Sequence, residues 1–344
     1  MAGPTRTGDP GIEIARGHIA GVSQYSKFGR NTIIASGVTA DLWDGGHTVA
    51  SGGDSLLWIP PTAARIHDLA SSDAADAGTV LSSGTATSGS VITLVDTGAD
   101  FVADSVGIGD IVLDDTQGIY GHVTAVTDLN TLTVVWFTKG GYQTDFSIAA
   151  NDAYRIVTPA STGVAVVHIN RGLSGAYGLQ SEFVVLNGTS NVATALAYVN
   201  ITRMRARLAG AAGDDGVSAG DIKATAQTDG TVTARILAGN NATFMAIDQI
   251  PDGKMAFLRS WGVTLLKATG ASANADIVPM IKRWSEPWQS MTSASVLSTG
   301  TSHHHISAEY PQGMPPRTII KLQAISGTNG LDLSGHFTLI LVDI

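Results

Sequence analysis

The sequence has no cysteine among its 344 residues. Disulfides, thiolate metal sites and cysteine nucleophiles are therefore excluded, and stability has to come from packing and, by expectation, from oligomerisation. Charge is scarce as well: Asp, Glu, Lys and Arg make up 14% of the chain, against about 25% in ordinary soluble domains. Such a chain is not a disordered polyelectrolyte, and it suits a protein whose surface is widely covered by copies of itself or by neighbours. The charge it carries is mostly negative, with 29 acidic against 20 basic residues and a formal net charge of −9. Binding nucleic acid takes a basic patch that displaces counterions from several phosphates. No such cluster is present, so no nucleic-acid partner is expected. The densest basic stretch, Arg203, Arg205 and Arg207, recurs at every second position and reads as one solvated strand face. Neither a long apolar run nor a signal-peptide core between Met1 and Arg16 occurs. The expectation is a soluble chain with no membrane partner and no cleaved secretion signal.

What is present is glycine, 40 residues of it, with Thr, Ser and short Val/Ile-rich runs between turn residues. Ile92–Val95, Ile108–Leu113, His122–Val126 and Thr131–Phe137 read as strands. A second series follows: Val164–Ile169, Glu182–Leu186, Thr202–Leu208, Ile222–Thr228 and Thr231–Leu237. The last two are joined by Asp229-Gly230, a two-residue hairpin signal. Ala242–Ile250, Lys254–Ala268, Ala275–Arg283, Thr318–Ala324 and Gly335–Val342 complete the set. Within Lys254–Ala268, Trp261, Val263 and Leu265 fall on one strand face, which favours strand over helix. The pattern predicts an all-β fold in three parts. Residues 1–75 form an extended docking arm and 79–158 a small inserted β barrel or sandwich module. Residues 160–344 form a larger antiparallel β-sandwich, for which a jelly roll is one option.

Residues 1–60 have few apolar runs but carry widely spaced aromatics. Tyr25, Phe28, Trp43 and Trp58, with Arg30, are the candidate docking residues, because aromatics and Arg anchor interfaces. His303, His304 and His305 form the one histidine run. On a strand His303 and His305 share a face, so they are the weak candidates for a metal site, and a polar surface strand is the plainer reading. The acids Asp96, Asp100, Asp104, Asp110, Asp114 and Asp115 crowd one region without the ligand spacing of a calcium loop. Asp114/Asp115 and Asp214/Asp215 read as turn residues rather than as a glycosidase pair. No nucleophile elbow and no phosphate loop occurs. No cofactor and no catalytic residue is expected.

Two sets of phrases carry a resemblance. Tyr25–Asn31 (YSKFGRN) and Ala40–Gly46 (ADLWDGG), then Val184–Ser190 (VVLNGTS), Tyr198–Ala206 (YVNITRMRA) and Phe337–Asp343 (FTLILVD), look like a group of tailed-bacteriophage virion proteins. Gly84–Phe101 and Val106–Val126 are similar to a small β module inserted in many phage structural proteins. The resemblance implies a non-enzymatic virion protein, foremost a capsid-surface decoration, cement or vertex component. Its partners would be the major capsid protein or other virion proteins, and it would form a homo-oligomer, with a trimer favoured. A tail or head fibre binding a host receptor stays open as an alternative, and a glycan-degrading virion enzyme as a distant one.

Overall fold

The computed structural model describes residues 19–46, 56–138, 141–142, 148–159, 162–210, 216–267, 272–298, 301–307 and 313–344. Asp214, Asp215 and parts of the expected arm (1–18 and 47–55) lie outside the described residues. Among the described residues the chain is all-β: five sheets and a single 3-10 turn at Asp44–Gly46. It divides into two compact units. The first takes the chain up to Pro60 with Gly175–Leu179 and Phe244–Ile344, and the second takes Pro61–Ser174 with Gln180–Thr243.

The first unit is a sandwich. One sheet runs Val22–Ile34, Leu331–Asp343, Lys254–Lys267, Thr301–Ser307, with every neighbour antiparallel. The other is built on Ile247–Gln249, Ile319–Ser326 and Ala273–Lys282. Period-two alternation sends Trp261, Val263, Leu265, Leu333, Phe337 and Leu339 of the first sheet inward. They meet Ala275, Ile277, Ile320, Leu322 and Ala324 of the second in one dry core.

The expected three-part division needs correction here. Residues 22–34 are not an extended arm: they form a strand paired along Leu331–Asp343 from Val22↔Val342 to Ile34↔Leu331. The apolar signal is weak because the inward face of this strand carries Lys27 and Asn31, both buried to 1% exposure. Gly29 faces inward between them. A Cβ there would lie 2.1 Å from both the Ala246 nitrogen and the Leu42 oxygen, so only glycine admits this approach of backbones. Residues 160–344 are likewise not one domain, since 244–344 packs with the N-terminal strand while most of 164–243 belongs to the second unit. Alternation identifies a strand but not its partner, and here the partners are far apart in sequence.

In the second unit, Gly78–Pro159 contribute one eight-stranded sheet whose first and last long strands, Gly78–Thr85 and Ala153–Pro159, pair with each other. The sheet ends on Ser88–Ser90, at the edge opposite Gly78–Thr85, although only Ala86 and Thr87 separate the two in sequence. Laid flat, seven strands would place those edges about 29 Å apart. The three peptide steps between Thr85 and Ser88 span about 11 Å at most, so the sheet curls into a small barrel. Its interior is filled by Leu94, Phe101, Val112, Val123, Leu132, Trp136 and Tyr154. Outside it, Leu113 and Val157 pack with Val166, Phe183 and Leu208. The remaining strands make a three-stranded sheet around Val164–Leu173 and a four-stranded one around His67–Ser71 and Ile222–Ala226.

His67 lies fully buried on that last sheet, its Nδ1 3.0 Å from the Arg65 carbonyl and its ring edge-on to Tyr198. Burial pushes its pKa down from 6.5 to about 4. The folded protein therefore keeps His67 neutral where the unfolded chain is protonated. Stability is whole above pH 6.5 and is lost as pH falls from 6.5 toward 4, by up to about 3 kcal/mol. Urea midpoints measured from pH 7.5 to pH 4 should drop more steeply for the native protein than for His67→Gln. Parallel profiles would clear His67 of any part in acid lability.

Candidate interaction surface

The face of the first sheet that points away from the core gathers residues that are scattered in the sequence. Phe28 sits opposite His336, His336 opposite Gly262, and Gly262 opposite His305, a row running straight across four strands. The next row is Arg30, Ser334, Thr264 and His303. Phe28, Arg30, His303 and His305 thus share one surface, with His336 between them.

The three imidazoles are layered. The His336 ring is 5.7 Å from that of His305 and 6.3 Å from that of His303, at interplanar angles of 16° and 7°. Gly262 makes this possible, because a Cβ there would meet the His336 Cε1 at 2.6 Å. His303 is further held at Nδ1 by the Thr264 hydroxyl, 2.9 Å away. Partial burial lowers the pKa of His336, and the neighbouring His305 and His303 lower it further. Parallel rings do not converge on a common point as metal ligands must. Among the described residues no group of three or more His, Cys, Asp or Glu is placed to hold a metal ion.

Beside this stack Phe28 is 44% exposed and meets Phe244 edge-on at 5.5 Å. The Arg30 guanidinium lies over the Phe244 ring at 4.6 Å and its Nε donates to Asp44 Oδ1 at 3.1 Å. The second Asp44 oxygen accepts the Phe244 N–H at 3.0 Å. One carboxylate so fixes both the cation and the aromatic beneath it. The other candidate docking residues lie elsewhere. Tyr25 packs against the sandwich core. Trp43 and Trp58 are enclosed by their own chain, at 1% and 2% exposure, so their burial requires no second chain.

Of the six acids singled out in the inserted module, four serve turns and a fifth an ion pair. Asp96 accepts from the Tyr154 hydroxyl at 2.7 Å and the Gly98 N–H at 2.9 Å. Asp100, Asp110 and Asp114 each cap a backbone N–H three residues away, at 2.8–2.9 Å. Asp115 pairs bidentately with Arg155 at 2.6 and 2.7 Å. Burial raises Asp114 to about 6. Of the basic stretch, Arg207 is not simply solvated: it donates to His168 Nδ1 and stacks over Tyr120.

No protein-family model matches the chain, and no curated protein matches it. Among solved structures it is similar to the VP2 subviral particle of infectious bursal disease virus. That match has 9% identity and a TM-score of 0.19 over 83% of this chain and 74% of the other. The Gx strain of the same virus matches at 10% identity and a TM-score of 0.16, over 84% and 80%. T=1 particles derived from that virus match at 12% and 0.15, over 83% and 71%. Overlap this slight carries no inference about what the chain does.

Sequence reasoning missed His336 and Phe244. The alternation Leu333, Gly335, Phe337 against Ser334, His336, Thr338 does announce His336 as outward-facing. Nothing local announces that His303, His305 and Phe28 lie across the sheet from it.

Proposed function

We propose that the chain is a non-enzymatic structural protein of a tailed-phage virion, a capsid-surface decoration, cement or vertex component. The observation that carries the reading is the gathering of Phe28 and Arg30, midway along the strand Val22–Ile34, with Phe244 beside them on one outward surface. An exposed aromatic packed on a ring that a half-buried ion pair holds in place is the kind of rigid anchor that interfaces use. The surrounding rows of Ser, Thr and His carry little charge to desolvate. Partners would be the major capsid protein or a neighbouring virion protein, in a homo-oligomer for which a trimer is favoured by the sequence resemblance. The carboxylates of Asp41, Asp44, Asp96 and Asp115 are each spent on an ion pair or a hydrogen bond within the fold.

The test is incorporation into particles. Removing residues 1–75 would tear out a sheet strand, so the informative changes are deletion of 1–18 and Phe28→Asp in the full chain. Both proteins are expected to fold, and Phe28→Asp to weaken attachment roughly tenfold or more, the effect of losing one anchoring aromatic. Normal incorporation of both would refute docking through this face. The exposed aromatic loops around Tyr177 and Trp284 favour a second reading, a tail or head fibre component that contacts a host surface.

A further inference from the structure

Four turns of the first unit converge on one exposed cluster. Asp252 donates its N–H to the Tyr177 carbonyl at 3.0 Å, and Arg317 donates its own to Ile250 at 2.8 Å. Above them the Arg317 guanidinium lies over both aromatic rings, 4.9 Å from Tyr177 and 5.4 Å from Trp284. The two rings meet edge to face at 5.3 Å and 84°. Asp252 reaches the same guanidinium at 3.3 and 3.4 Å. Trp284 nonetheless remains 55% exposed.

The backbone beneath is strained. Tyr177, Ser285 and Arg317 have φ of 62°, 61° and 66°, the left-handed region that side chains larger than glycine rarely occupy. Each such conformation persists only where surrounding structure insists on it, as in ligand clamps. Among the described residues, half of the six non-glycine residues of this kind sit in this one cluster.

We propose that the cluster is a carbohydrate-binding site that takes a neutral hexose ring against the exposed indole of Trp284. The apolar C–H face of a sugar packs on an aromatic ring, and its hydroxyls suit planar groups that donate or accept in pairs. Such groups belong to the same turns: the Asp252–Arg317 pair, loosely joined and 48% and 36% exposed, whose guanidinium lies over the indole, and Arg283, next to Trp284 in sequence, with Glu286 and Gln289. Opposite charges balance within each pair, so an ionic ligand gains nothing there. The site is independent of how the chain is attached to a particle, and free protein suffices to test it.

The experiment is affinity electrophoresis of the full chain through gels containing dextran, mannan or galactan. At least one of the three should retard the native protein. Trp284→Ala should lose roughly tenfold or more of that affinity, with Trp284→Phe retaining part and Ile108→Ala, an exposed apolar residue of the second unit, behaving as native. Matching urea midpoints would confirm that the variants fold. Absence of retardation by all three polysaccharides overturns the proposal, as does equal retardation of Trp284→Ala. Sedimentation velocity covers the protein-contact reading: self-association lost in Trp284→Ala, without polysaccharide retention, assigns the cluster to a protein contact and also overturns it.

Discussion

Replacing Asp41 with alanine is expected to destabilise the first unit by about 3–5 kcal/mol, the cost of stranding a buried charge. Asp41 is wholly buried and Lys321 is 3% exposed. The Lys321 ammonium donates to Asp41 Oδ2 at 2.7 Å, the Trp58 N–H to the same oxygen at 2.8 Å, and the Gln323 amide to Oδ1 at 3.0 Å. Trp288 closes the site with its ring 4.3 Å from the ammonium. Burial pushes the Asp41 carboxyl up, and the Lys321 charge pulls it back. The carboxylate ties Thr39–Asp41 and the chain at Trp58 onto Ile319–Ser326, so it closes one side of the sandwich. Asp41→Ala leaves the ammonium with no counter-charge in a site sealed by tryptophan. The double variant Asp41→Ala/Lys321→Met removes both charges and should recover most of the loss. Urea denaturation of the native protein, both single variants and the double variant closes the cycle. Additive losses would mean that the pair contributes no coupling and the argument fails.

Asp76→Ala should cost the second unit about 3–6 kcal/mol, because it orphans several buried donors at once. Asp76 has no exposed surface. It accepts the Ser71 hydroxyl at 2.5 Å and the backbone N–H groups of Val164, Ala219 and Gly220 at 2.7, 2.9 and 2.9 Å. One side chain thus joins the turn after His67–Ser71, the start of Val164–Leu173 and the turn before Ile222–Ala226. Asp76→Asn keeps the shape but offers an amide nitrogen where N–H groups already point, so it should restore only part of the loss. Hydrogen exchange gives the local readout: the amides of Val164, Ala219 and Gly220 should lose protection before the barrel interior does. Unchanged exchange at those three amides in Asp76→Ala would rule out the staple.

Several sequence phrases were legible as local features and misleading as functional ones. The Ala40–Gly46 segment stood out as a docking motif, yet Asp41 serves the buried Lys321, Trp43 is enclosed and Asp44 holds Arg30. Such a motif is visible because many constraints meet in it. Whether those constraints face a partner or the chain's own interior is not written in its residue types.

By itself the sequence determined that this protein is built of strands. Period-two alternation at Trp261, Val263 and Leu265 commits one face to a core, and Asp229-Gly230 makes a turn with Gly230 at φ 67°. Those are local consequences of side-chain geometry and backbone sterics, available to any short window of residues. Only the tertiary structure decided which strands are neighbours. It placed Val22–Ile34 beside Leu331–Asp343, His336 between His303 and His305, and Tyr177 against Trp284 and Arg317. Pairing between distant strands is selected by the whole set of buried faces and registers at once. No window of sequence contains that information, and both the outward histidine face and the aromatic turn cluster exist only because of it.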